Sequence, residues 1–118
     1  MNLNVILGTD GITRVAIWGE ISQPDCAPAN EPLAGRLTQA DYHGALLMDL
    51  GGVTALDSTG VGWLLLCQNQ CRAAGGMMVL HSLPPIVQQL FDVLKMQLVL
   101  TVADDEAAAL EMARQRRK

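Results

Sequence analysis

Residues 46–66, LLMDLGGVTALDSTGVGWLLL, contain the change of pattern that decides the fold. The stretch opens with an apolar run, interrupted by Asp49, whose length is typical of a strand buried on both faces. Residues 51–56 then predict a loop, and the next helix is predicted to begin near Ser58 and to end at the glycine pair 75–76. A buried strand followed by a helix indicates an α/β unit with parallel strand pairing.

The N-terminal half predicts a hairpin and then a break in regular structure. Apolar runs at 3–7 and 12–18 flank Gly8-Thr9-Asp10-Gly11, and Asp-Gly between two strand-forming runs favours a tight turn. Residues 21–33 carry three prolines and predict a loop. A short helix is expected over residues 32–42.

The C-terminal half continues the alternation of strands and helices. Residues 77–81 predict a strand, and Ser82 is expected to cap a helix with apolar residues at 87, 90, 91 and 94. Residues 98–102 predict a last strand, and acidic residues at 104–106 predict the start of a final helix. The predicted fold is a single α/β domain over residues 1–118: an open, mixed, mostly parallel sheet with an N-terminal β-hairpin and about four helices.

Composition excludes several classes of function. The 118 residues are 50% hydrophobic and carry a net charge of −4, which disfavours nucleic-acid binding. No signal peptide and no apolar segment of transmembrane length is visible, so we expect a cytoplasmic protein without direct membrane insertion. The chain has no phosphate-binding loop, dinucleotide fingerprint or metal motif, so neither a cofactor nor enzymatic activity is expected. Cys67 and Cys71 are expected to be buried free thiols.

Helical spacing separates two faces of the segment that begins at Ser58. At about 100° per residue, Gly60, Leu64 and Cys67 fall on the face that must pack against the sheet. Ser58, Gly62 and Leu66 fall on the opposite face. The sequence therefore predicts an exposed hydroxyl at a helix start, beside a glycine and a leucine that have no core to enter.

Three hypotheses account for this hydroxyl. Asp57, Ser58 or Thr59 caps the helix, a role for which Asp57 alone is sufficient. Alternatively Ser58 is a nucleophile, although Leu56 stands where the nucleophile elbow needs glycine and only His43 or His81 could serve as base. In the third hypothesis Ser58 is a phosphorylation switch, because a helix N-terminus tolerates a phosphate while the surface changes its charge.

The same stretch resembles the signature of the STAS domains, the sulfate transporter and anti-sigma-factor antagonist family. The resemblance rests on an apolar strand ending in Asp-Leu, a short link that contains valine, and the motif Asp-Ser-Ser/Thr-Gly before an apolar helix. In this chain these are Met48-Asp49-Leu50, Val53 and Asp57-Ser58-Thr59-Gly60, with Trp18-Gly19-Glu20 ending the second strand and Gly75-Gly76 following the helix.

The resemblance implies a function and a set of partners. A lone chain of this length is similar to the anti-sigma factor antagonists, in which the serine after the aspartate accepts phosphate. That residue is Ser58 here, with Thr59 as the second choice. The unphosphorylated form is then expected to bind an anti-sigma factor serine kinase, a GHKL-type ATPase, and so free a sigma factor. Phosphorylation would disrupt binding, and a serine phosphatase would restore it.

The expected contact surface comprises six residues, and an alternative function remains open. The six are Asp57, Ser58, Thr59, Gly60, Gly62 and Leu66. The second strand ends in Gly-Glu-Ile-Ser where family members often have Gly-Glu-Leu-Asp, which bears on the identity of the partner. Lone STAS domains also serve as scaffold subunits of lipid ABC transporters and of stressosome-like assemblies. The sequence is also compatible with a homodimer.

Overall fold

The computed structural model describes residues 2–8, 11–21 and 44–116. Their backbone forms one five-stranded sheet with strand order β1-β2-β3-β4-β5. The strands are β1 (Asn2–Leu7), β2 (Ile12–Ile21), β3 (Ala45–Leu56), β4 (Met77–His81) and β5 (Val102–Ala103). The helices are α1 (Ser58–Ala73), α2 (Pro85–Leu94) and α3 (Glu106–Arg116). The helix and the proline-rich loop expected between residues 21 and 42 fall largely outside the described residues.

Strand pairing confirms the mixed sheet. β1 and β2 pair antiparallel, with Val5 opposite Val15, and the backbone N–H of Gly8 donates to the carbonyl of Ile12 at 3.1 Å. The remaining pairs, β2–β3, β3–β4 and β4–β5, are parallel. Gly11 has φ 78°, which supplies the positive φ that a tight hairpin turn needs.

Two apolar layers enclose the sheet. On one face, Leu46, Met48 and Leu50 of β3 pack with helices α1 and α2, whose Leu64 and Phe91 are fully buried. The opposite face is covered by α3 and contains a smaller core. Its members are Ile12, Ala45, Leu47, Val79, Ala103, Ala109 and Ala113. The two-sided burial of β3 explains why its first half is almost continuously apolar.

The loop expected at residues 51–56 is wrong, because β3 continues through it to Leu56. Strand β2 runs past the apolar run at 12–18 to Ile21, and the last residues of the two strands pair with each other up to Ile21 opposite Leu56. Irregularities in this pairing lie between Ala16 and Trp18 and next to Gly19, whose φ is 88°. Two consecutive glycines, Gly51 and Gly52, resemble a loop in the sequence, but here they belong to a strand with irregular pairing.

Three expectations in the C-terminal half are also corrected. Pro84, not Ser82, is the N-cap residue of α2, and no side chain caps that helix. The strand predicted at 98–102 is a 3₁₀ turn, Met96–Leu98, followed by the two-residue β5. Leu94, predicted as part of the buried stripe of α2, is 48% exposed because the helix ends there, at Lys95 in a left-handed conformation.

The ends of the other two helices are as predicted. Gly75 follows α1 with φ 81°, and the N–H of Gly76 donates to the carbonyl of Cys71 at 2.7 Å, which closes the last turn. Asp105 caps α3 by accepting the N–H of Ala108 at 2.8 Å. Among the described residues, no helix is long and apolar enough to cross a membrane.

Candidate partner-binding site

Asp57 fixes the start of α1 with three hydrogen bonds. Its Oδ1 accepts the N–H of Gly60 at 2.8 Å, and its backbone carbonyl accepts the N–H of Val61 at 3.0 Å. Its own N–H donates to the carbonyl of Ile21 at 3.2 Å, which ties the helix start to the end of β2. The backbone of Asp57 is extended, as an N-cap requires. Asp57 therefore performs the capping role, and Ser58 is the first helical residue.

The outward face of α1 has the composition predicted from helical spacing. Ser58 and Gly62 are exposed, Leu66 is 50% exposed, and Asn69 continues the same exposed side. A Cβ placed on Gly62 would have no atom within 4 Å, so the surface is open at this point. The serine, the glycine and the leucine thus present a polar, a flat and an apolar element along one side of the helix.

Two of the six expected contact residues are less exposed than the other four. Thr59 is only half-exposed. Gly60 is buried, and a Cβ there would lie 2.5 Å from Cδ1 of Leu56 and 2.8 Å from Cγ2 of Ile21. The structure therefore does not place Gly60 on the outward surface. Its lack of a side chain allows α1 to approach the ends of β2 and β3 closely.

The electrostatic setting of Ser58 favours negative charge. The first turn of α1 contains no acidic residue, and Arg72 lies in the last turn. Backbone N–H groups at the N-terminus of a helix carry partial positive charge, which stabilises a phosphate. The Asp57 carboxylate on the preceding residue opposes this effect, since it already occupies the N–H of Gly60.

His81 does not form the partnership that a Ser58 nucleophile would need. Its side chain is 2% exposed, and its Nδ1 lies 2.8 Å from Oγ of Ser82, with which it shares a hydrogen bond. Ser82 adopts a left-handed backbone conformation, φ 59°, between β4 and α2. His43, the other candidate base, lies outside the described residues.

The inward face of α1 carries the two predicted free thiols. Cys67 and Cys71 are both buried, and neither forms a disulfide, as expected. Burial raises the pKa of the Cys71 thiol to about 11, so the group remains protonated and unreactive near neutral pH. No group of three or more His, Cys, Asp or Glu side chains within the described ranges is arranged to hold a metal ion.

Sequence reasoning missed an apolar groove that begins at Leu56, just before the start of α1. Its volume is about 360 Å³, and it lies between the end of β3 and one side of α2. The lining residues are Ala55, Leu56, Ile86, Val87, Gln89, Leu90 and Val93. Ile86 is 56% and Val93 79% exposed. The apolar residues that flank the buried stripe of α2 were a signal, but the extension of β3 that forms the other wall was not predicted.

A family comparison gives a match over most of the chain. A family model described as "Mlab, STAS domain" matches residues 8–101. The matched range includes all four motif residues from Asp57 to Gly60 and ends before α3.

Solved structures with a similar fold span nearly the whole chain at low sequence identity. One is a Thermotoga maritima protein assigned to the anti-sigma factor antagonists, with TM-score 0.80, 15% identity, and coverage of 96% of this chain and 93% of the other. Another is an anti-sigma factor antagonist from Mycobacterium paratuberculosis, with TM-score 0.76, 24% identity, and coverage of 96% and 95%. A third is the anti-sigma factor antagonist SpoIIAA in its unphosphorylated form, with TM-score 0.72, 19% identity, and coverage of 97% of both chains. At these identities the similarity is one of fold.

Proposed function

Because the chain belongs to the STAS domain family, we propose that it is an anti-sigma factor antagonist switched by phosphorylation at Ser58. The observation that carries the proposal is the division of roles at the start of α1. Asp57 caps the helix, and the next residue is an exposed serine on an open surface. Ser58 is therefore available for modification without loss of the helix cap.

In the unphosphorylated state the outward face of α1 binds the partner. Ser58, Gly62 and Leu66 offer a hydroxyl, an open position and an apolar side chain, which together suit a protein surface. The proposed partner is a kinase-type anti-sigma factor with a GHKL-type ATPase fold. Its capture releases the sigma factor and so regulates transcription in the cytoplasm. The chain acts here as a binding protein and as the substrate of its partner.

Phosphorylation ends this interaction through charge. The kinase transfers the γ-phosphoryl group of ATP to Oγ of Ser58, so that an O–P bond forms, the hydroxyl proton leaves and ADP is released. The phosphate adds close to two negative charges to a surface that the partner must desolvate. Because the N-terminus of α1 tolerates an anion, the fold is retained. A serine phosphatase hydrolyses the ester and restores binding. Thr59 is the poorer acceptor because it is half-buried.

Three solved structures with this fold support the proposal, because each is described as an anti-sigma factor antagonist or assigned to that class. One of them, SpoIIAA, is described in its unphosphorylated form, which implies a phosphorylated counterpart of that protein.

The test combines phosphopeptide mapping with partner binding. Mass spectrometry of the chain purified from its native host is expected to place phosphate on Ser58. Ser58→Asp should retain the fold and lose the anti-sigma factor, whereas Ser58→Ala should bind it and resist phosphorylation. Asn69→Asp is the matched control, because it adds the same charge to the same exposed side of α1 about 16 Å away. Wild-type affinity in Ser58→Asp would refute the switch.

A second candidate is a permanent scaffold subunit of a lipid ABC transporter or a stressosome-like assembly. It is favoured by membership of the STAS domain family, because lone STAS domains also serve as subunits of such assemblies. In that case the outward face of α1 is a constant interface. Ser58→Ala and Ser58→Asp would then leave assembly with the partner subunits nearly unchanged, and Ser58 would remain unmodified under all growth conditions.

A further inference from the structure

Among the described residues, the outer edge of β1 is an uncharged strand edge that nothing covers. β1 forms one end of the sheet, and within the described part of the chain no strand pairs with its outer side. Its six residues, NLNVIL, contain neither a charge nor a proline. Natural edge strands are usually protected against pairing by lysine, proline, a bulge or very short length. The opposite edge, β5, has only two residues.

The hydrogen bond from Gly8 to Ile12 fixes which backbone groups of β1 point outward. In an antiparallel pair, residues that exchange hydrogen bonds alternate with residues that do not. Gly8 bonds to Ile12 in the same register as the rest of the ladder, so the even-numbered residues of β1 bond to β2. The N–H and C=O groups of Leu3, Val5 and Leu7 therefore point away from β2, toward the edge.

This arrangement is self-complementary. A twofold axis through Val5 pairs Leu3 with Leu7 of a second copy and Val5 with Val5 of that copy, which forms about six backbone hydrogen bonds. The side chains of Leu3 and Val5 lie on the face that packs against the larger core. Pairing would extend that core across the axis, because residues directly opposite each other in a ladder are in contact.

The other face of β1 gains apolar burial in the same register. Asn4 and Ile6 project there, and Ile6 is 55% exposed. Pairing about Val5 places Asn4 opposite Ile6 of the second copy and brings the two Ile6 side chains into a diagonal cross-strand contact. No charged side chain of β1 opposes this contact.

We propose that the β1 edge is a homodimer interface, in which two copies pair their β1 strands antiparallel about Val5 into one continuous sheet. The proposal does not depend on the Ser58 switch, because it uses a separate part of the sheet. A dimer of this kind would present two α1 surfaces to partners.

Analytical ultracentrifugation of the full chain tests the proposal. Wild type is expected to sediment at twice the 12.7 kDa chain mass. Val5→Pro removes one outward N–H without breaking the ladder to β2, and Ile6→Lys puts two cations into diagonal contact. Each should weaken dimerisation by at least about tenfold. Leu98→Lys is the control, since it charges an 80% exposed leucine away from β1 and should leave the dimer intact.

Amide hydrogen exchange of the wild-type chain gives a second readout, which does not require any variant to fold. In wild type, the amides of Asn4 and Ile6 are expected to be protected at every concentration through β2. Those of Leu3, Val5 and Leu7 should gain protection only as the dimer forms. A monomer up to about 1 mM would overturn the proposal. So would a dimer without this alternating protection, or a dimer lost in Leu98→Lys and retained in Ile6→Lys.

Discussion

Two glycines in the first turns of α1 should respond to alanine with opposite signs. Gly60 and Gly62 lie on the same helix two residues apart, and replacing either with alanine adds one methyl group. At Gly62 the new Cβ meets no atom within 4 Å. At Gly60 it would lie 2.5 Å from Cδ1 of Leu56, 2.8 Å from Cγ2 of Ile21 and 3.1 Å from the Ile21 carbonyl oxygen. The comparison isolates packing, because the chemical change is identical.

The expected magnitudes follow from these contacts. Gly62→Ala gains helix propensity and should stabilise the protein by about 0.5–1 kcal/mol. Gly60→Ala forces α1 away from the strand ends, and overpacking of this kind costs about 1–3 kcal/mol. Cδ1 of Leu56 can rotate away, but the Ile21 carbonyl belongs to the backbone that receives the Asp57 N–H. We therefore expect a net loss for Gly60→Ala despite its own gain in helix propensity.

Urea and thermal denaturation of the two variants provide the measurement. The gain in helix propensity is common to both variants, so they differ by the overpacking cost alone. At about 4 °C per kcal/mol for a domain of this size, the two melting temperatures should differ by at least about 4 °C, with wild type between them. A Gly60→Ala variant as stable as Gly62→Ala would refute the close approach of α1 to Ile21 and Leu56. Gly62→Ala also serves as a stability control for larger substitutions at Gly62 that block the outward surface.

Three other predictions concern buried and capping groups. Burial raises the pKa of the Cys71 thiol from 9.0 to about 11. The folded chain therefore holds this proton more tightly than the unfolded chain, so the thiol stabilises the fold fully below pH 9 and progressively less from pH 9 to 11. The stability difference between wild type and Cys71→Ala should narrow over that range in denaturation experiments. Ser82→Ala loses the hydrogen bond to His81 and keeps the left-handed backbone, so it should lose about 1 kcal/mol, whereas Ser82→Gly should lie closer to wild type in the same assay. A double-mutant cycle of Asp57→Asn with Ser58→Asp should show a repulsive coupling of about 0.5 kcal/mol in urea denaturation, and a zero or attractive coupling would contradict the closeness of the two carboxylates.

The parts of the fold that follow from local chemistry were predictable from the sequence. Asp-Gly at the hairpin, the glycine pair after α1 and Asp105 before α3 each mark an element boundary, and the structure places boundaries there. The orientation of α1 was also predictable, because a helix with a fixed 100° step assigns each residue to a face once the buried stripe is known. Exposure of Ser58 and Leu66 follows from that geometry alone.

The parts that depend on distant pairing were not predictable. Residues 51–56 begin with two consecutive glycines, which favour a loop, yet they form a strand because the end of β2 pairs with them. The environment of Gly60 has the same origin, since Ile21 reaches it from the other side of that pairing. Ser82 was expected to cap α2, but the buried His81 holds its hydroxyl instead. Local propensity is overridden in each case by a tertiary contact.

The start of α1 combines a fixed backbone with an exposed side chain, and this combination suits a switch that acts through surface charge. The Asp57 bonds to Ile21 and Gly60 and the close packing of Gly60 hold the first turn in place. Ser58 takes no part in the cap, so a phosphate there need not break a bond that the fold requires. Its effect is therefore expected in partner affinity rather than in the free energy of unfolding. A permanent interface would use the same rigid first turn equally well. The structure of α1 is therefore the same under both proposed functions, and only the effect of a charge at Ser58 on partner affinity distinguishes them.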